Sequence, residues 1–209
     1  MAVADIDYQQ LADDIALLSG GIPEHIVGQV IPLSVQEYFS ETRALTTPVT
    51  GALNENTLRL DEDGDLEPVA VSRVVCAGHN VPVYSLRAGF ESRDFCCALA
   101  AVYTDDGREV ELRFFRTPPE YQQAEVTALV TYSPTREATS CPLPRDSGIS
   151  LRALTALVLS KLYAMPNRPW TNLVHAQLQF AIYGDLVVKA KRVAKSNDSA
   201  TNRECTFSW

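Results

Sequence analysis

Residues Leu99 to Phe114 carry a pattern that nearly dictates its own fold. Asp106-Gly107 is a favoured centre for a two-residue type I′ turn, in which both central residues take φ > 0. With the turn there, Tyr103 faces Val110, Ala101 faces Leu112 and Leu99 faces Phe114, and all six are apolar. The other face holds Thr104, Glu109, Glu111 and Arg113. A one-residue slip would turn the whole apolar set towards water, so the register is well specified. The hairpin implies an antiparallel sheet with one face on a core.

The chain around it reads as mixed. Asp5 to Gly20 has the period of an amphipathic helix, with Tyr8, Leu11, Ile15 and Leu18 on one stripe, an Asp5 or Asp7 cap and a Gly20-Gly21 stop. Ser34-x-x-Glu37 has the form of a capping box opening a second helix through about Arg43. Thr46 to Asn56 reads as loop or crossing arm. From Thr57 the period becomes two, giving strands near Leu58–Leu60, Val69–Cys76, Val81–Leu86 and Glu125–Tyr132, with Pro82 demoting the third to an edge or a strand start and a helix as the alternative for the last. Ser133 to Ser147 reads as loop. Ser150 to Met165 is a helix apolar on most sides, stopped by Pro166, which the sheet or another subunit must cover. Val174, Ala176, Leu178, Phe180 and Ile182 alternate, and the phase continues through Leu186, Val188 and Ala190. A hairpin at Gly184-Asp185 would put lysines on that face, so the pattern predicts one long strand from about Leu173 to Val193, bulged at Gly184.

These elements predict an α+β fold, predominantly antiparallel β, as a single sheet or a β-sandwich of jelly-roll-like form. It has an N-terminal amphipathic helix and one long apolar helix near 150–165. The expected divisions are an N-terminal helical arm and loop (1–56), an antiparallel β domain with the inserted helix (57–194) and a flexible C-terminal tail (195–209).

Composition narrows the function. A chain of 209 residues with 46% hydrophobic residues can build a core without a metal or disulfide staple. The net charge of −8 argues against a dedicated nucleic-acid binder. Residues 186–209 oppose this trend, with five Lys or Arg against two acids. Within them Lys189, Lys191, Arg192 and Lys195 are candidate contacts for an acidic surface or a phosphate backbone. The five cysteines form no C-x-x-C pair, and no basic-then-apolar leader opens the chain. Both point to reduced thiols in the cytoplasm or nucleus, or in a virion if the protein is a coat. No apolar run of membrane-spanning length exists.

Chemistry-bearing motifs are weak. Asp61, Asp63 and Asp65 have the spacing of the first calcium-loop ligands, but Gly64 and Ser72 break the rest of the pattern. His25, His79 and His175 stand apart from any zinc motif. Cys141, in Ser140-Cys141-Pro142, reads as an exposed loop thiol that a histidine would have to activate. No spacing selects a catalytic residue, a metal or a cofactor. Phe207 and Trp209, at the end of a polar stretch, suit a partner's apolar groove, as Tyr8, Leu11 and Ile15 do in the N-terminal arm. The expected function is a non-enzymatic interaction subunit of a larger assembly, coat-like or cellular, whose partners are itself or other subunits. Its contacts would be made by terminal arms and the long strand. Alternatives are a low-motif Cys- or carboxylate-based enzyme and a monomeric binding module.

Overall fold

The computed structural model describes residues 5–60, 64–84, 94–104, 107–142 and 147–204, with only the backbone beyond residue 194. It is α+β, with four helices and mostly antiparallel strands in three sheets. The chain forms two compact units: residues 1–45 with 133–209, and residues 46–132. Residues 5–45 and 133–204 thus fall in one unit, where sequence alone suggests 1–56, 57–194 and 195–209 in succession. Among the described residues no helix is long and apolar enough to cross a membrane.

The first unit is helical. Strand β1 (Asp5–Asp7) leads into α1 (Tyr8–Ser19). The Asp7 carboxylate accepts from the backbone N–H groups of Gln9 and Gln10, and Gly20 ends the helix at φ 72°. These are the expected cap and stop. Helix α2 (Glu24–Thr42) starts ten residues earlier than the capping box predicts. Ser34 lies inside it, fully buried, and its Oγ donates to the Val30 carbonyl at 2.9 Å. A mid-helix serine back-bonds to the preceding turn in this way when no free N–H is near. Helix α3 (Ser147–Ala164) is the central element and packs on α1, α2 and α4. Leu154, Leu157, Val158 and Leu162 are essentially inaccessible. Its all-round apolarity is thus met by other helices. Strand β10 (Ser140–Pro142), inside the expected loop, pairs with β1 and sets Ile6 opposite Cys141.

The largest correction is α4 (Leu173–Glu204), a helix where the alternation predicts a long strand. The segment also has a helical period: Ala176, Tyr183, Leu186, Val187 and Ala190 are the buried side chains. Its Ala, Leu, Gln and Lys content favours helix. The Asn172 carboxamide oxygen caps it through the His175 N–H at 3.1 Å. Packing against α3 decides between two periods that share several residues. Gly184, read as a bulge, sits in mid-helix.

The second unit holds eight strands: β2 (Thr46–Ala52), β3 (Thr57–Leu60), β4 (Leu66–Cys76), β5 (His79–Val81), β6 (Val83–Tyr84), β7 (Cys96–Thr104), β8 (Gly107–Phe115) and β9 (Glu125–Pro134, whose last two residues belong to the first unit). They form two sheets of order β2-β9-β4-β5 and β3-β8-β7-β6, not one. The β6–β7 pair is parallel. The stretch expected as a loop from Thr46 is edge strand β2, paired with β9 through facing threonines such as Thr46 and Thr131. Pro48 is tolerated there because an edge leaves N–H groups unpaired.

The hairpin exists two residues out of the predicted register. Thr104 pairs with Gly107, so Leu99 faces Leu112 and Phe114 faces the smaller Cys97. A shift of two keeps every side chain on its face. Val110, Leu112 and Phe114 are accordingly buried. On β7 the opposite face closes as well, since Ala98 and Ala100 are also buried. Asp106 and the calcium-like Asp61 and Asp63 lie outside the described residues.

Candidate functional site

An apolar groove of about 530 Å³ opens on the helical unit. Leu11, Asp14, Leu17 and Leu18 of α1 form one bank. Leu151, Arg152, Thr155 and Ala156 of α3 form the floor, and Gln179, Ile182 and Leu186 of α4 the other bank. Leu17 and Leu18 are 82% and 68% exposed, and of the apolar stripe whose Tyr8, Leu11 and Ile15 the sequence offers to a partner, Leu18 alone faces out. Tyr8, Leu11 and Ile15 take the core positions instead and are buried in the chain's own interior. Next to the groove, α4 carries Leu178 and Val174 one and two turns before Ile182, and both are exposed. No Asp, Glu, Lys or Arg occurs between Leu173 and Gly184. That uncharged run was the available signal for this surface, and the strand reading hid it.

The basic candidates separate. Lys191 donates to Glu41 of α2 at 3.0 Å. Tyr183 donates to the other carboxylate oxygen at 2.8 Å. Burial pushes the Glu41 carboxyl up, but the hydrogen bonds from Lys191 and Tyr183 and the Lys191 charge outweigh it and hold the group below its usual range. Burial, then Glu41, raises the Tyr183 hydroxyl. Lys191 is thus committed to an internal contact, whereas Lys189 and Arg192 are exposed. The Lys195 side chain, Phe207 and Trp209 lie outside what is described.

A second concavity, of about 740 Å³, lies within the sheet unit. Thr50, Asn54, Thr57, Arg59, Glu109, Glu111 and Tyr132 line it, among others. Arg59 and Glu109 form an ion pair across it at 3.0 Å. The facing carboxylate Glu111 pairs with Arg113.

The described thiols are all buried. Cys141 is buried in β10, not exposed in a loop. Burial first, with Asp5 adding and a Tyr8 hydrogen bond opposing, pushes it up to about 12. Burial, together with Cys96 and Cys76, likewise pushes Cys97 up to about 12. A thiol in that range is almost entirely protonated at neutral pH. His25, His79 and His175 are all exposed. His79 and His175 sit beside the rings of Tyr121 and Tyr163. Among the described residues, no three His, Cys, Asp or Glu side chains gather closely enough to hold a metal.

No known protein-family model matches the sequence, and no curated protein matches it significantly.

Proposed function

We propose that the chain is a non-enzymatic interaction subunit of a larger protein assembly, docking through the apolar face of its helical unit. One observation carries this reading. Leu17, Leu18, Leu151, Val174, Leu178 and Ile182 are between 38% and 82% exposed on adjoining helices. Scattered surface leucines are ordinary, but Leu17, Leu18, Leu151 and Ile182 gather on one groove, and grouped apolar exposure marks a contact site. The surface differs from the one the sequence suggests. The contact lies on α1, α3 and the first half of α4, in place of a long strand.

The two four-stranded sheets of the second unit are compatible with a β-sandwich. The Leu58 side chain closes against Gly51, one on each sheet. The parallel β6–β7 pair counts against the jelly-roll form, which is antiparallel throughout. Four free, buried cysteines (Cys76, Cys96, Cys97 and Cys141) favour a reducing compartment. Lys189 and Arg192 would serve any acidic partner surface. The rival binding-module reading rests on the polar cleft around Arg59 and Glu109.

Photo-crosslinking inside the cells that make the protein tests the docking reading. A photoreactive phenylalanine analogue at position 178 is expected to give a discrete protein adduct, and the same probe at the exposed Glu120 none. Silence from position 178 would overturn it.

A further inference from the structure

Strands β2 and β3 begin as a hairpin and then part. Asn54 and Thr57 exchange both backbone hydrogen bonds around a tight turn, in which Glu55 and Asn56 take φ 47° and 67°. Beyond that pair β2 joins β9 and β3 joins β8, so each is the outermost strand of its own sheet. The phase of β2 follows from its neighbours. The Leu53 N–H donates to the Ala124 carbonyl, and on the other side of β9 the Ala77 N–H donates to the Glu125 carbonyl. Antiparallel pairing alternates, so the backbone groups of Val49 and Gly51 face β9, and those of Pro48, Thr50 and Ala52 face away. Pro48, with no N–H to offer, fits the outward phase. All three outward residues are exposed, and among the described residues no strand pairs with this side of β2. Thr50 and Ala52 line the cleft of about 740 Å³ from this edge, and Thr57 and Arg59 line it from β3.

We infer that the outer edge of β2 takes up an extended, basic segment of a partner protein as an added strand. The inference goes beyond the docking reading and does not involve the helical unit. Strand addition uses backbone donors and acceptors presented in strand phase. Thr50 and Ala52 each present an N–H and a carbonyl, and Pro48 presents a carbonyl. Natural sheets blunt their edges with short strands, charged side chains or proline. Edge strands β5 and β6 are three and two residues long, and β3 carries Arg59. Strand β2 runs for seven residues, and no charged residue stands between Thr46 and Asn54. Its one proline removes a single donor and leaves those of Thr50 and Ala52. Charge then selects the occupant. The unit that carries this edge, residues 46–132, holds fourteen acids against seven arginines and no lysine. Within the cleft Arg59 and Arg113 are paired with Glu109 and Glu111, so an incoming segment meets the acidic excess of the whole unit. A second copy docking edge to edge would bring two such units together, and like-charge repulsion opposes that. A basic segment is drawn in by the same field.

The test is NMR of the full chain, following the Thr50 and Ala52 amides while a short blocked peptide of alternating lysine and valine is added. The peptide is expected to shift both resonances saturably and to slow their exchange with solvent. Thr50→Pro should weaken it about fivefold or more, through the lost hydrogen bond. Thr50→Ala should bind it as the natural chain does, and circular dichroism verifies that both variants fold. The same peptide with every amide N-methylated needs no variant and should leave both resonances unmoved. A peptide of alternating glutamate and valine should bind on the order of tenfold more weakly. Amides that do not respond to the lysine peptide overturn the inference. So does binding that survives N-methylation, which would make the contact one of side chains, and so does equal binding of the acidic peptide. Protection of the two amides that grows with protein concentration alone would give the edge to a second copy and overturn it as well. None of these outcomes involves position 178, so the docking reading stands or falls on its own experiment.

Discussion

The two units place their apolar residues differently. Among the described residues, ten of the eleven exposed large apolar side chains belong to the helical unit, and Tyr84 alone to the sheet unit. Charge runs the other way. Residues 46–132 hold fourteen acids against seven arginines, so most of the net charge of −8 resides there. The sheet unit therefore has a surface made for water. The helical unit is almost neutral and presents leucines to solvent, which is costly unless something covers them. The difference teaches where to look for a partner, independently of any catalytic motif.

The contrast sharpens inside the helical unit, where leucines of the same size sit in and out of the core. Leu154 is fully buried beneath α1, α2 and α4, whereas Leu178 is 55% exposed. Leu154→Ala is expected to destabilise by about 2–5 kcal/mol, through lost burial and the cavity left behind. Leu178→Ala should fall within about 0.5 kcal/mol of the natural chain. Urea denaturation followed by helical circular dichroism measures both. Comparable losses would mean that Leu178 belongs to the core, and the comparison of the two units would lose its basis.

Legibility in the sequence followed the number of independent signals at each element. Helix α1 had three: an Asp7 cap, an apolar stripe and a Gly20 stop. The hairpin had alternation on both strands, and the face of β8 came out correctly, but on β7 Ala101 is exposed while Ala98 and Ala100 are buried. Its register did not come out, because Asp106-Gly107 is one of two turns that preserve those faces, and strand packing chooses between them. Helix α4 failed because Val174, Leu178 and Ile182 satisfy a period of two and also a spacing of four. Only contact with α3 separates those readings. The candidate site was hidden by the same error. As a strand, the run Leu173–Ile182 buries alternate residues, but as a helix it leaves one side uncovered.

Gly184 turns that error into a measurement. In a bulged strand a glycine is required by geometry, but here it lies in the interior of α4, and a Cβ there would meet nothing within 4 Å. Gly184→Ala is therefore expected to stabilise the chain by about 0.5–1 kcal/mol, the helix-interior difference between the two residues. A rise in the thermal midpoint would show that this backbone is helical in solution. Destabilisation would restore the bulge and remove the exposed α4 stripe on which the contrast between the units depends.

The smallest expected effect concerns what ties α4 to α2. Glu41 accepts from Tyr183 and Lys191, and its carboxyl titrates below the usual range. A carboxyl whose folded pKa is depressed contributes stability above its unfolded pKa and loses it as pH falls through the folded value. Glu41→Gln should therefore cost about 0.2–1 kcal/mol at neutral pH, the range for partly exposed pairs. The cost should shrink as pH falls below the ordinary carboxylate range, until the two proteins denature alike. Paired thermal melts across that range read the difference directly. A cost that stays constant into acid would mean that Glu41 acts through hydrogen bonding and packing instead of charge.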